Sequence, residues 1–196
     1  MALPVLQVII GSTRPGRVGP AIASWFTDEA QTRGGFLVEL VDVADYELPL
    51  LDEPEQASVQ RYSKEHTKRW SSTISRGDCY VFVIPEYNHS LNGATKNALD
   101  FLYHEWRYKP AGILSYGGAS LGLRAAQTLK PVLSALKMFH VGDVAVSLKS
   151  TPLVEGAFAG DDRLARSARG LLDELATLTP ALMELRRAER HNDVRS

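Results

Sequence analysis

Short apolar runs separated by stretches of helical periodicity organise this chain, and that alternation restricts its fold more than any other feature. Val5–Ile10, Leu37–Asp42, Tyr80–Ile84, Ala111–Tyr116 and His140–Ser147 read as five strands. Between them Ala21, Ile22, Trp25, Phe26 and Ala30 recur at helical spacing, as do Ala94, Ala98, Leu99, Leu102 and Trp106, then Ala125, Leu129, Val132, Leu133 and Leu136. A last amphipathic segment carries Leu164, Leu171, Leu172, Leu175 and Leu178 and is expected to end or kink near Pro180. This order predicts successive βαβ units: an α/β, doubly wound, mainly parallel sheet covered by helices on both faces.

At 196 residues the chain suits one domain, 1–196, with a full core. Two irregular stretches, Pro49 to Ala57 and Ser150 to Asp161, read as surface loops because the pattern resumes directly after each. Lys and Arg number 22 against 23 Asp and Glu, so the surface has no general bias toward nucleic acid or an acidic membrane. The arginines Arg186, Arg187 and Arg190 alternate with Glu184 and Glu189, as on a solvated helix end. The one cysteine, Cys79, lies in an apolar run and is expected to be a buried, inert thiol. With no charged leader and no apolar run of membrane length, the expectation is a soluble cytoplasmic protein.

Chemistry concentrates in the turns. Gly11-Ser12-Thr13-Arg14-Pro15-Gly16-Arg17-Val18-Gly19 follows the first strand directly. The glycines permit a tight turn and close approach, and the helix beginning near Val18 to Ile22 aims its unpaired N–H groups and positive dipole end at the loop. Ser12 and Thr13 add hydroxyls, while Arg14 and Arg17 add charge in a fork that matches phosphate. Gly11 and Gly16 fit the spacing of a triphosphate-binding loop, but Arg17-Val18 stands where Lys and Ser or Thr are needed. The dinucleotide fingerprint fails at Thr13. A phosphate monoester held without metal fits best. His89 has no Cys or second His at ligand spacing, so no metal site is expected.

In a doubly wound sheet the turns after the first, third and fourth strands should cooperate. After the third comes Pro85-Glu86-Tyr87-Asn88-His89-Ser90, a turn that breaks the strand, and after the fourth Ser115-Tyr116-Gly117-Gly118, whose glycines let backbone lie against a flat ligand. Taken together with Lys96-Asn97-Ala98-Leu99-Asp100, these segments resemble the NADPH-dependent FMN reductase family over roughly residues 3 to 147. The resemblance implies a flavodoxin-like five-stranded parallel sheet of order 2-1-3-4-5, bound FMN, NADPH or NADH as co-substrate, and a homodimer or tetramer. It puts Ser12, Thr13 and Arg14 on the FMN phosphate, with Arg17 and Gly19 adjoining. It lines the flavin with Pro85, Glu86, Tyr87 and Asn88, and brings Ser115, Tyr116, Gly117 and Gly118 to its pyrimidine edge. In such families the helix carrying Lys96 and Asp100 packs between subunits, which makes Asp100 and Trp106 interface candidates. Lys96 and Asp100 also read simply as an i,i+4 pair.

The expected activity is hydride transfer from NADPH or NADH to FMN and electron transfer onward to a small acceptor: a free flavin, a quinone or an azo or other aromatic compound. The cofactor supplies the chemistry, so no catalytic side chain is assigned. The different class is a flavin-bound electron carrier or sensing module without nicotinamide turnover. A flavin-free hydrolase has no nucleophile elbow to support it.

Overall fold

The computed structural model of the protein describes residues 3–151 and 153–193, with side chains described up to residue 189. Pro152 in the second loop and the side chain of Arg190 lie outside the described residues. Five long strands form one parallel sheet: β1 (Val5–Ile10), β2 (Leu37–Asp42), β3 (Cys79–Tyr87), β5 (Pro110–Gly117) and β6 (Phe139–Ser147), in the order β2-β1-β3-β5-β6. A sixth strand, the two-residue β4 (Ser90–Leu91), pairs antiparallel with the end of β3. The expected order 2-1-3-4-5 is therefore not met strand for strand: the short β4 was not foreseen, and it shifts the numbering of the last two strands.

Helices cover both faces. On one side α1 (Gly19–Arg33) and α5 (Asp162–Asp193) enclose Ile22, Phe26, Leu164, Leu171 and Leu175 with Leu6, Val8, Val81 and Val83. On the other, α2 (Glu65–Arg76), α3 (Gly93–Asp100) and α4 (Leu123–Ala135) enclose Trp70, Ile74, Leu99 and Leu129 with Ile9, Phe82 and Ile113. Complete burial of these side chains drives the association, each contributing about 1.5–3 kcal/mol relative to exposure.

Several expectations are corrected. Helix α2 is not among the segments read from periodicity, because its buried face is Thr67, Trp70, Thr73 and Ile74 and not an aliphatic repeat. Helix α3 stops at Asp100, and the following turns bring Trp106 into the core against Trp70, Tyr80 and Phe82, fully buried; it is not a surface available to another subunit. Helix α5 does not end at Pro180 but runs through it, since the buried stripe Leu175, Thr179, Leu182 continues across the missing N–H. Strand β3 does not stop at Ile84. Beyond Val83 it has no β1 neighbour, so Pro85 pairs with Tyr116 of β5 alone and leaves no ladder bond to β1 unmade.

Candidate active site

The chain leaves β1 for β2 on one side and returns to β3 on the other, so the carboxyl ends of β1 and β3 diverge. A crevice at such a switch point is where parallel α/β sheets take ligands. The loops after β1, β3 and β5 meet there.

The loop after β1 is held from beneath. The Gly11 N–H donates to Val83 O at 3.0 Å, extending the ladder. The Gly11 carbonyl accepts from Asn92 Nδ2 at 2.7 Å, with Thr95 Oγ1 at 3.0 Å. Thr95 Oγ1 stands 2.1 Å from where a Gly11 Cβ would lie, so only glycine fits. Ser12 is fully buried, and its hydroxyl accepts from Tyr116 OH at 3.1 Å. Gly19 completes this junction: a Cβ there would come within 2.9 Å of both the Ser12 and Tyr116 hydroxyl oxygens. Burial pushes the Tyr116 phenol up to about 12, against the opposing bond to Ser12, so it is a neutral donor.

The two arginines part company. Arg17 forms a bidentate pair with Asp42 at the end of β2, at 2.8 and 2.6 Å, and also donates to the Ser12 carbonyl. Asp42 accepts in addition from Ala44 N at 3.0 Å. Arg17 thus braces the loop with donors a ligand would otherwise meet. Arg14 is exposed, and among the described residues its side chain has no hydrogen-bond or ion-pair partner. Thr13 and Gly16 are also exposed, and Gly16 takes φ +71° with open space around it. Beside them α1 begins with Val18 at its cap position, no side-chain cap, proline in the first turn and no acid there. The positive end of the helix is left for an anion from elsewhere.

After β3 the chain makes a two-residue hairpin. Tyr87 pairs with Ser90, and Asn88 and His89 both take positive φ, 49° and 67°, as a type I′ turn demands. Leu91 N donates to Thr128 Oγ1 at 2.9 Å, fixing the hairpin to α4. Pro85 is buried, Glu86 and Tyr87 are partly covered, and Asn88 and His89 are exposed. Glu86 does not face the crevice as a free acid. Its carboxylate accepts from Arg124 N at 3.0 Å and Arg124 Nη1 at 3.2 Å. Burial alone would raise its pKa, but hydrogen bonds from Ser120 and Arg124 outweigh it and hold the carboxyl below the ordinary glutamate value.

The loop after β5 is shaped by backbone. Ser115 is buried, with its hydroxyl donating to Leu121 O at 3.3 Å, and Leu148 N donates to Gly117 O at 3.0 Å. Gly118 is exposed, and nothing lies within 4 Å of where its Cβ would be. A ligand can therefore lie flat on this stretch.

A cleft of about 240 Å³ opens beside the first loop, lined by Thr13, Val43, Ala44, Glu47, Leu48, Ala94 and Asn97. Another, of about 350 Å³, lies at the opposite, amino-terminal end of the strands, among His104, Arg107, Lys109 and Arg186. It shares no residue with the three loops. Among the described residues no group of three His, Cys, Asp or Glu is placed to hold a metal. Asp42, Asn92 and Thr95 carried no signal of their own: each acts through a neighbour that only the sheet order brings close.

The profile of a family described as NADPH-dependent FMN reductase matches residues 5–152. Over 187 residues the chain is 37% identical to an NAD(P)H-dependent FMN reductase of Schizosaccharomyces pombe, which covers 94% of this chain and 86% of that protein. It is 28% identical over 184 residues to an NADPH azoreductase of a Bacillus species, covering 92% and 93%. Among solved structures, a flavoenzyme NAD(P)H:(acceptor) oxidoreductase from Paracoccus denitrificans superposes with a TM-score of 0.71 at 20% identity, covering 91% and 98% of the two chains. A flavodoxin of Streptococcus pneumonia does so at 0.56 and 12%, covering 88% and 98%. At these identities the structural likenesses speak for a flavodoxin-like fold.

Proposed function

The chain belongs to the NADPH-dependent FMN reductase family, and we propose on that footing how its residues serve the activity: an FMN-dependent NAD(P)H oxidoreductase acting on a small aromatic acceptor. The residues fit the cofactor. An uncapped helix end, an exposed arginine and a left-handed glycine suit a phosphate monoester, and a bare glycine platform and a partly covered tyrosine suit a planar ring. When bound, FMN supplies the redox chemistry, taking hydride from NADPH or NADH and delivering electrons to the acceptor.

In this reading Arg14, Thr13 and the amides of the loop and of the α1 start hold the phosphate. Ser12, Arg17, Gly19 and Tyr116 keep that loop in shape from below. Pro85, Tyr87 and Asn88 wall one part of the ring, and Gly117 and Gly118, backed by Ser115, meet its polar edge. None of these groups transfers a proton; they orient the reactants and exclude water. The azoreductase relative supports an azo acceptor. One domain over residues 1–196 and a cytoplasmic homodimer or tetramer complete the proposal. Exposed Leu50 and Leu51, in the loop bonded to Asn97 of α3, support assembly there. No helix of the described residues is long and apolar enough to cross a membrane.

The observation that carries the reading is Arg14, exposed and without a partner among the described residues, next to the uncapped α1 terminus. Protein loaded with FMN should lose its visible flavin absorbance on anaerobic addition of NADPH or NADH. A flavin-loaded protein unmoved by either nicotinamide would instead be an electron carrier.

A further inference from the structure

The ring wall is built from two segments that the β3–β5 ladder joins only as far as Pro85 and Tyr116: the last residues of β3 and the stretch Gly117 to Gly122 that leads into α4. That loop is conformationally demanding. Leu121 takes φ 55° and Gly122 φ 81°, and both lie in the left-handed region that costs a non-glycine residue energy. Gly122, at the cap position of α4, offers no side chain, and the first turn of α4 holds no acid. Something else has to stabilise this helix start.

Glu86 does so from outside the helix. Its carboxylate takes the Arg124 N–H at 3.0 Å, in the first turn of α4, and the Arg124 guanidinium at 3.2 Å, while the Ser120 hydroxyl donates to it as well. The Glu86 side chain is only 7% exposed, against 53% for Arg124. Its Cβ lies 3.5 Å from where a Gly117 Cβ would be, so Glu86 also underlies the platform itself. A carboxylate with both oxygens accepting and its charge held at a helix N-terminus has no proton to exchange with a substrate.

We propose that Glu86 is a positioning residue rather than a flavin ligand: it latches the end of β3 to the start of α4 and so presets the Gly117–Gly122 loop for the flavin ring. The proposal rests on the functional reading above, and riboflavin, which has the ring without the phosphate, separates the two. Binding of FMN and riboflavin to the full chain is followed by quenching of flavin fluorescence, and ring setting by visible circular dichroism. Glu86→Gln should weaken both flavins by the same factor, about tenfold, the effect of losing one charge-assisted bond, and should change the visible dichroism. Arg124→Ala, which keeps the backbone N–H, should cost less than about threefold, whereas Arg124→Pro, which removes it, should match Glu86→Gln. The two Arg124 variants keep the test open should Glu86→Gln fold poorly. Wild-type riboflavin affinity and dichroism in folded Glu86→Gln, a loss confined to FMN, or an Arg124→Ala as damaging as Arg124→Pro would each overturn the latch. A wild-type chain that binds neither flavin would overturn the functional reading and the latch with it.

Discussion

The loop after β1 and the loop after β5 face the same crevice but are stabilised in opposite ways. Gly11 to Arg17 is pinned from several elements: Asn92 at the cap of α3 and Thr95 within it hold the Gly11 carbonyl, Tyr116 from β5 holds Ser12, and Asp42 from β2 holds Arg17. Gly117 to Gly122 is held by its own turn bonds, Leu121 N to Gly118 O at 3.3 Å and Leu123 N to Ser120 O at 2.9 Å, by a long bond from Ser115 to Leu121 and by the carboxylate of Glu86. The difference follows the ligand. A phosphate is small and charged, and a site for it gains most from donors that need no reorganisation. An apolar ring is held by shape, which two positive φ angles and one latch can set.

Both loops contain a glycine that admits no replacement, and substituting them gives the largest effects expected. In Gly122→Ala the new methyl would meet the Tyr116 backbone N at 2.5 Å from a positive φ, so backbone must move. Gly11→Ala meets the Thr95 hydroxyl at 2.1 Å, a side chain. Each should cost about 1–3 kcal/mol or more of stability, with Gly122→Ala the worse, seen as a fall of roughly 2–4 °C in Tm per kcal/mol. The comparison sharpens with a double variant: Thr95→Ala should rescue most of Gly11→Ala, and no single side-chain truncation should rescue Gly122→Ala. Equal rescue at both sites would mean that the second loop is not shaped by backbone.

Tyr116 belongs to both regions, and its effect should be smaller. Tyr116→Phe removes the donor to Ser12 and should cost about 0.5–1.5 kcal/mol. The pH dependence has a definite sign. Burial raises the folded-state phenol from 10.0 to about 12, so the stability it contributes is fully present below pH 10 and is lost as pH rises toward 12. Thermal melts of Tyr116→Phe should therefore fall less steeply than wild type between pH 10 and 12. An unchanged alkaline limb would show that the Ser12–Tyr116 junction opens freely.

Much of the scaffold was readable because its strands are compact apolar runs: β1 and β2 begin and end where the runs do, and β5 and β6 within a residue of them. Helix α2 was not, since threonines and a tryptophan face inward where aliphatic residues signal periodicity. Trp106 fits the spacing of the preceding helix yet belongs to a turn, and its indole is drawn inward to donate to Leu99 O at 3.2 Å. Pro180 looked like a terminus or a kink because local cost was visible and the packing that carries the helix past it was not. At the site, residue types identified the loops, but roles depended on neighbours far along the chain. Arg17 reads as a phosphate ligand until the register that sets Ile10 beside Asp42 gives it a carboxylate. Glu86 reads as a residue lining the flavin until the fold brings Arg124 to it.

The central claim is that the first loop grips a phosphate while the other two hold the ring that phosphate tethers. Its most direct test is the ratio of FMN to riboflavin affinity in Arg14→Ala against wild type. The account predicts that FMN weakens by about 1.5–3 kcal/mol, the worth of a charge-assisted contact, while riboflavin binds as before. Equal weakening of both flavins, or of neither, would contradict it.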